Sequence, residues 1–163
     1  LGYGDGLGDT EELPFFEHFL AGGFGSVRGF ESNTLGPRST SARTPQFDGD
    51  LVGAAIDSSP DPFGGNLLVE GSVELLLPLP FLKDQRSVRA VLFYDYGNVF
   101  SDNCRSTQLN CTDFDLGELR TSAGLAVTWL SGFGPLSFSL GSPLQHNDID
   151  ERQVFQFSMG RAF

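Results

Sequence analysis

From Gly64 to the C-terminus the sequence alternates with a period of two, and the side opposite the apolar residues is small and polar rather than charged. Val69, Gly71, Val73, Leu75 and Leu77 share one face, and Leu68, Glu70, Ser72, Glu74 and Leu76 share the other. Val88, Ala90, Leu92, Tyr94 and Tyr96 alternate with Arg89, Val91, Phe93, Asp95 and Gly97. The cleanest run sets Leu119, Thr121, Ala123, Leu125, Val127 and Trp129 against Arg120, Ser122, Gly124, Ala126 and Thr128. Leu136, Phe138 and Leu140 then alternate with Ser137, Ser139 and Gly141, and Phe155, Phe157 and Met159 with Gln156, Ser158 and Gly160. Successive side chains of a strand point to opposite faces, so each run predicts a strand with one greasy and one wet side. A soluble sandwich turns its apolar side inward and its charges outward. Ser, Gly, Thr, Gln and Ala with isolated Glu, Asp and Arg describe instead the packed aqueous lumen of a membrane barrel, with the greasy side toward lipid.

The connectors support the same class. Pro78–Arg86 and Ser131–Pro135 are short, whereas Asp102–Glu118 and Ser142–Gln153 are long, as expected for short turns at one end of a membrane barrel and long loops at the other. No apolar run reaches the roughly 18 residues of a membrane helix. Tyr94, Tyr96, Trp129 and Phe163 suit interfacial aromatic girdles. Residues 64–163 thus read as five antiparallel strands ending at an aromatic, the last spanning about Val154–Phe163. Residues 1–63 read as the tail of a preceding strand followed by a long loop. Leu1 opens the chain without a leader or lipid anchor, which reads as a truncated start. Five strands fall short of the roughly eight that close the smallest membrane barrel, so unpaired edges are expected to join another copy or another chain.

A net charge of -11 argues against nucleic acid. Asp48, Asp50, Asp57, Asp61, Asp148, Asp150 and Glu151 fall outside the alternating runs and read as solvated loops. Gly4, Gly6 and Gly8 lack the strand and helix start of a dinucleotide loop. His18 and His146 have no Ser or Cys partner in a catalytic pattern, and His18 reads as a loop or packing residue. Glu70 and Glu74 share a face, but nothing around them suggests sugar chemistry. Neither enzymatic activity nor a cofactor or metal is expected. Cys104 and Cys111 sit seven apart in a polar loop without a nearby His, and a small loop disulfide is the expected arrangement.

One segment demands a partner. Arg28 lies between glycines in Gly22-Gly23-Phe24-Gly25-Ser26-Val27-Arg28-Gly29-Phe30, which lets the backbone turn sharply and approach a wall. A guanidinium pushed into a confined lumen needs carboxylates, and Glu74 and Asp95 lie on the lumen face of neighbouring strands. The alternative is an exposed loop cation.

Val27-Arg28-Gly29-Phe30 with Ser32-Asn33-Thr34-Leu35-Gly36-Pro37-Arg38 resembles the inward-folding loop of the outer-membrane barrel-assembly (bacterial surface antigen) family. The similarity runs on through Gly64-Gly65-Asn66, Leu79-Pro80-Phe81, Val88-Arg89, Asp95-x-Gly97-x-Val99, Arg120-x-Ser122-Ala123-Gly124, Gly134-Pro135-Leu136 and Phe155-Gln156-Phe157, which is essentially the whole chain. The loop motif alone is shared by relatives that secrete proteins or import them into organelles. The resemblance implies a barrel of about sixteen strands, of which this chain supplies the last five and the lumen loop. It implies that Arg28 contacts Glu74 and Asp95. Phe155, Phe157, Gly160 and Phe163 would lie on a seam strand that ends in an aromatic signal. The implied partners are outer-membrane lipid, client β-barrels, the remaining strands and periplasmic modules, and assembly lipoproteins bound through regions outside this chain. Ser39–Pro62 matches the family poorly, and a polar stretch of this length reads as either functional or disordered. A two-partner secretion transporter, a passive porin and a secreted β-sandwich remain as other readings.

Overall fold

The computed structural model describes residues 1–6, 13–39, 61–80, 87–104 and 108–160. Phe163, most of Ser39–Pro62 and most of the Pro78–Arg86 turn lie outside the described residues. In chain order the strands are β1 (Gly2–Tyr3), β2 (Gly29–Phe30), β3 (Arg38–Ser39), β4 (Asp61–Pro62), β5 (Leu67–Leu77), β6 (Val88–Phe100), β7 (Gln108–Leu109), β8 (Arg120–Ser131), β9 (Gly134–Gln145), β10 (Arg152–Gln153) and β11 (Phe155–Met159). Phe15–Glu17 and Leu116–Glu118 form single 3-10 turns.

One antiparallel sheet carries the architecture, a curled half-barrel in the order β1-β5-β6-β8-β9-β11. Strands β5, β6, β8 and β9 run 11 to 13 residues, long enough to cross a bilayer at a tilt. The register sets the faces. Ser72 pairs with Asp95, Asp95 with Ser122, and Glu74 with Phe93, so these side chains share one side of the sheet. The other side carries Val73, Leu75, Leu92, Leu125, Trp129, Leu140, Phe155 and Phe157, all exposed and none covered by a second layer. Leu125 is 45% exposed, whereas Ser139, one register step along on the opposite face, is 1% exposed. A sealed globule would invert that contrast, so the sandwich reading fails and the apolar side is a surface for hydrocarbon.

Strand ends differ from expectation in two places. The alternation after Pro135 fades at Gly141, yet β9 continues to Gln145, because a bulge that leaves Leu144 of β9 between the partners of Thr121 and Ser122 absorbs the break in pattern. The stretch Ser142–Gln153 is therefore partly strand. The terminal strand is divided: β11 pairs with β9, while β10 pairs with β2.

The wet side is filled by the loop of residues 13–39. Its core packs Ala21, Val27, Phe30 and Leu35 against Val99, with Phe19 and Leu68 at the margin. Burying these side chains contributes of order 1.5–3 kcal/mol for each large one, which is what fixes a loop of this length inside the curl.

Candidate functional site

Gly29 takes φ 91°, and its backbone lies so close to β9 that a Cβ on Gly141 would meet Gly29 Cα and N at 3.0 Å. Two facing glycines thus let the loop lie flat on the sheet. That contact aims Val27 and Phe30 into the loop core, both fully buried, and turns Arg28 toward β5 and β6.

Arg28 uses each guanidinium nitrogen. Nε donates to Asp95 Oδ2 at 2.7 Å and Nη2 to Asp95 Oδ1 at 2.8 Å, a two-pronged grip. Nη1 donates to Glu74 Oε1 at 2.9 Å, and Nη2 also reaches Ser72 Oγ at 3.0 Å. The Arg28 backbone N–H donates to Asp95 Oδ2 at 3.0 Å, and Ser72 Oγ donates to Asp95 Oδ1 at 2.6 Å. The Phe93 ring lies beneath the guanidinium, 3.7 Å from Cζ to centroid. Arg89 Nη2 donates to the second oxygen of Glu74 at 3.1 Å, so two cations face two carboxylates. Burial opposes the charge on Arg28, but the hydrogen bonds and charges of Asp95 and Glu74 outweigh it and raise its pKa. Beside the cluster lies a cavity of about 320 Å³, lined in part by Ser137, Ser158, Thr128 and Arg89. The structure thus brings Arg28, Glu74 and Asp95 together in the lumen, and the exposed-cation alternative fails.

Sequence reasoning missed a second buried arginine. Arg120, 2% exposed, donates through Nε to Asp150, through Nη1 to the Glu118 carbonyl at 2.8 Å and carboxylate at 3.0 Å, and through Nη2 to Asn110 Oδ1 at 3.0 Å. Asn110 also accepts from Asn147 Nδ2 at 3.0 Å, so two long loops meet on one guanidinium. Asp150 and Glu151 are therefore not free solvated acids: Asp150 is buried on Arg120, and Glu151 pairs with buried Arg38 at 2.7 Å. The signal was available, since alternation puts Arg120 on the lumen face, where a cation requires an acid. Cys104 and Cys111 form the expected disulfide, with Asn110 beside it at φ 57°. His18 bridges the Phe63 and Leu13 carbonyls at 3.1 Å each and packs edge-on against Phe63, a packing role.

On the terminal strand Phe155 and Phe157 face outward and flank Phe138, with ring centroids 6.5 and 5.0 Å apart. Gly160 takes φ 76°, and its N–H donates to the Pro135 carbonyl at 3.0 Å.

An open antiparallel sheet with an apolar outer face and an arginine-bearing loop clamped on its inner side defines a class: outer-membrane β-barrels with an inward-folded loop. Residues 1–163 match the Omp85 superfamily domain, and the chain belongs to that superfamily. It is 42% identical to the outer membrane protein assembly factor BamA of Neisseria meningitidis serogroup B, across 100% of this chain and 21% of the relative. It is 26% identical to the sorting assembly machinery 50 kDa subunit of Saccharomyces cerevisiae, across 99% of this chain and 30% of that protein. The crystal structure of BamA from Haemophilus ducreyi lacking POTRA domains 1–3 superposes with a TM-score of 0.74 at 33% identity, over 95% of this chain and 29% of that one. The chain thus spans about a fifth of the length of the Neisseria relative.

Proposed function

We propose that this chain is the C-terminal barrel segment of an outer-membrane factor that folds and inserts other β-barrel proteins. The observation that carries the reading is the likeness, over the whole chain, to relatives named as assembly factors. The lumen clamp supplies a physical rationale. Arg28 ties a long loop to β5 and β6 through buried ion pairs, which gives the barrel interior a fixed wall. The terminal strand meets β9 over only five residues, Phe155–Met159, and its other edge is unpaired among the described residues. Such an edge suits a client strand joining by backbone hydrogen bonds. The partners in this reading are lipid against the apolar face, client barrels at the edge, the remaining strands, and lipoproteins bound through modules outside this chain. Glu74, Asp95 and Arg28 hold the loop, and Phe155, Phe157 and Gly160 belong to the seam.

Arg28→Glu in the full-length protein tests the reading. Three carboxylates would then face one another, and repulsion should expel the loop. Many unrelated outer-membrane barrels should fall in abundance together. Normal levels of all of them would refute the assembly role, and loss of one secreted cargo alone would identify a secretion transporter instead.

A further inference from the structure

The terminal strand changes partners at Val154. Below it, Phe155–Met159 pair with β9; above it, Arg152 and Gln153 pair with Phe30 and Gly29 of the lumen loop. The cause on the β9 side is a single residue. Gly141 donates its N–H to the Val154 carbonyl at 2.8 Å. Backbone groups of a strand face the same neighbour at every second residue, so the next N–H on this side belongs to position 143. Residue 143 is Pro, which has none. The β8–β9 register also shifts here, with Thr121 opposite Gln145 but Ser122 opposite Pro143. The β9 edge thus stops offering regular pairing where the terminal strand leaves it.

The loop supplies replacement partners. The Glu31 N–H donates to the Glu151 carbonyl at 2.9 Å. Gln156, 4% exposed, donates its side-chain amide to the Phe30 carbonyl at 2.6 Å. Arg38 holds the Glu151 carboxylate at 2.7 Å. The same loop is fixed two residues earlier by Arg28 on Asp95 and Glu74.

We propose that the lumen loop is a positioning element for the terminal strand: the Arg28 clamp sets the loop, and the loop, through Phe30 and Glu31 and with Gln156 reaching back to the Phe30 carbonyl, takes over the strand's first residues where Pro143 ends the β9 edge. The ion-pair site on β5 and β6 and the seam strand are then one mechanical unit, linked across the lumen. The bearing of this linkage on client insertion rests on the assembly reading above, but the linkage itself does not.

Hydrogen exchange on the full-length protein in nanodiscs tests it. Arg28→Ala should speed exchange of the Glu31 amide and of residues 151–153 by about tenfold or more, while the Leu125 region of β8 stays unchanged. Gln156→Leu, which leaves the ion pairs in place and keeps side-chain volume, should speed the same amides by about fivefold. Unchanged exchange at 31 and 151–153 in both variants would overturn the proposal, as would a general loosening of β8 and β9 to the same degree. If Arg28→Ala yields no folded protein, Gln156→Leu decides by itself. A protein that inserts no clients yet shows the coupled exchange would sink the assembly reading and leave the linkage standing.

Discussion

All three guanidinium nitrogens of Arg28 are engaged, two of them on Asp95 and the third on Glu74, so charge alone does not reproduce the site. Lysine would keep the cation but offers a point donor in place of the fork that grips Asp95. Arg28→Lys should therefore cost roughly 2 kcal/mol of barrel stability. Arg28→Ala leaves Asp95, fully buried, without its counter-charge and should cost roughly 3–5 kcal/mol. Urea titrations of the full-length protein, followed by the mobility of the folded band, rank the two; equal losses would show that the fork geometry is immaterial. A second residue-scale prediction concerns Glu31 and Glu151. The Glu151 carboxylate, sharing a hydrogen bond with Glu31, holds the Glu31 pKa above the usual value, while Arg38 holds that of Glu151 below it. Stability from the raised group is present at low pH and is lost as pH rises through its folded value. Stability from the lowered group is present at higher pH and is lost as pH falls through its folded value. The contact is therefore tightest in the window between the two folded values, where the pair shares one proton. Protection of the Glu31 amide, normalised to β8, should peak there and decline on both sides; a monotonic trend would contradict the shared proton.

The strands themselves were legible because a membrane barrel writes its faces into every second residue. β5, β6 and β8 begin and end within a few residues of the alternating runs, and the Arg28 partners followed from asking which acids share the lumen face. What could not be read were contacts between segments far apart in sequence. Nothing local in Arg152-Gln153 shows that it pairs with Gly29-Phe30, and the bulge that carries β9 to Gln145 depends on β8. Acid-rich loops mislead for the same reason: Asp150 looks solvated until Arg120, 30 residues away, is placed on it. The disulfide belongs to this scale. It closes a ring with a sequence separation of seven and adjoins Asn110, which accepts from Arg120 and Asn147. So short a ring constrains little unfolded chain, and replacing both cysteines by serine should cost at most roughly 2 kcal/mol globally. Its effect should be local, seen as faster protease cleavage near the cysteines with an almost unchanged urea midpoint. A collapse of the whole barrel would show that this loop holds more than its own tip.

The described sheet has two ends, β1 and β11, and they do not meet. Its outer face exposes Leu75, Leu125, Leu140, Phe155 and Phe157 together, a surface that water tolerates poorly and lipid or detergent accepts. Covering that face with detergent still leaves the edge strands with unsatisfied backbone groups, because the strand-to-strand direction lies in the plane of the sheet. The isolated 163-residue chain, refolded in detergent, should therefore associate edge to edge. The β11 edge is the better candidate, since β1 contributes only Gly2 and Tyr3. Along β11, the Val154 carbonyl and the Gly160 N–H both bond to β9, so by the two-residue repeat the Phe157 N–H points away from it. Phe157→Pro should then remove a donor from the open edge while sparing the β9 ladder, and shift the particles toward single chains. Light scattering with the detergent contribution subtracted reads the mass directly. A stable monomer of the unsubstituted chain would mean that the edges are capped from within the chain, and the half-barrel would then be part of a smaller closed structure.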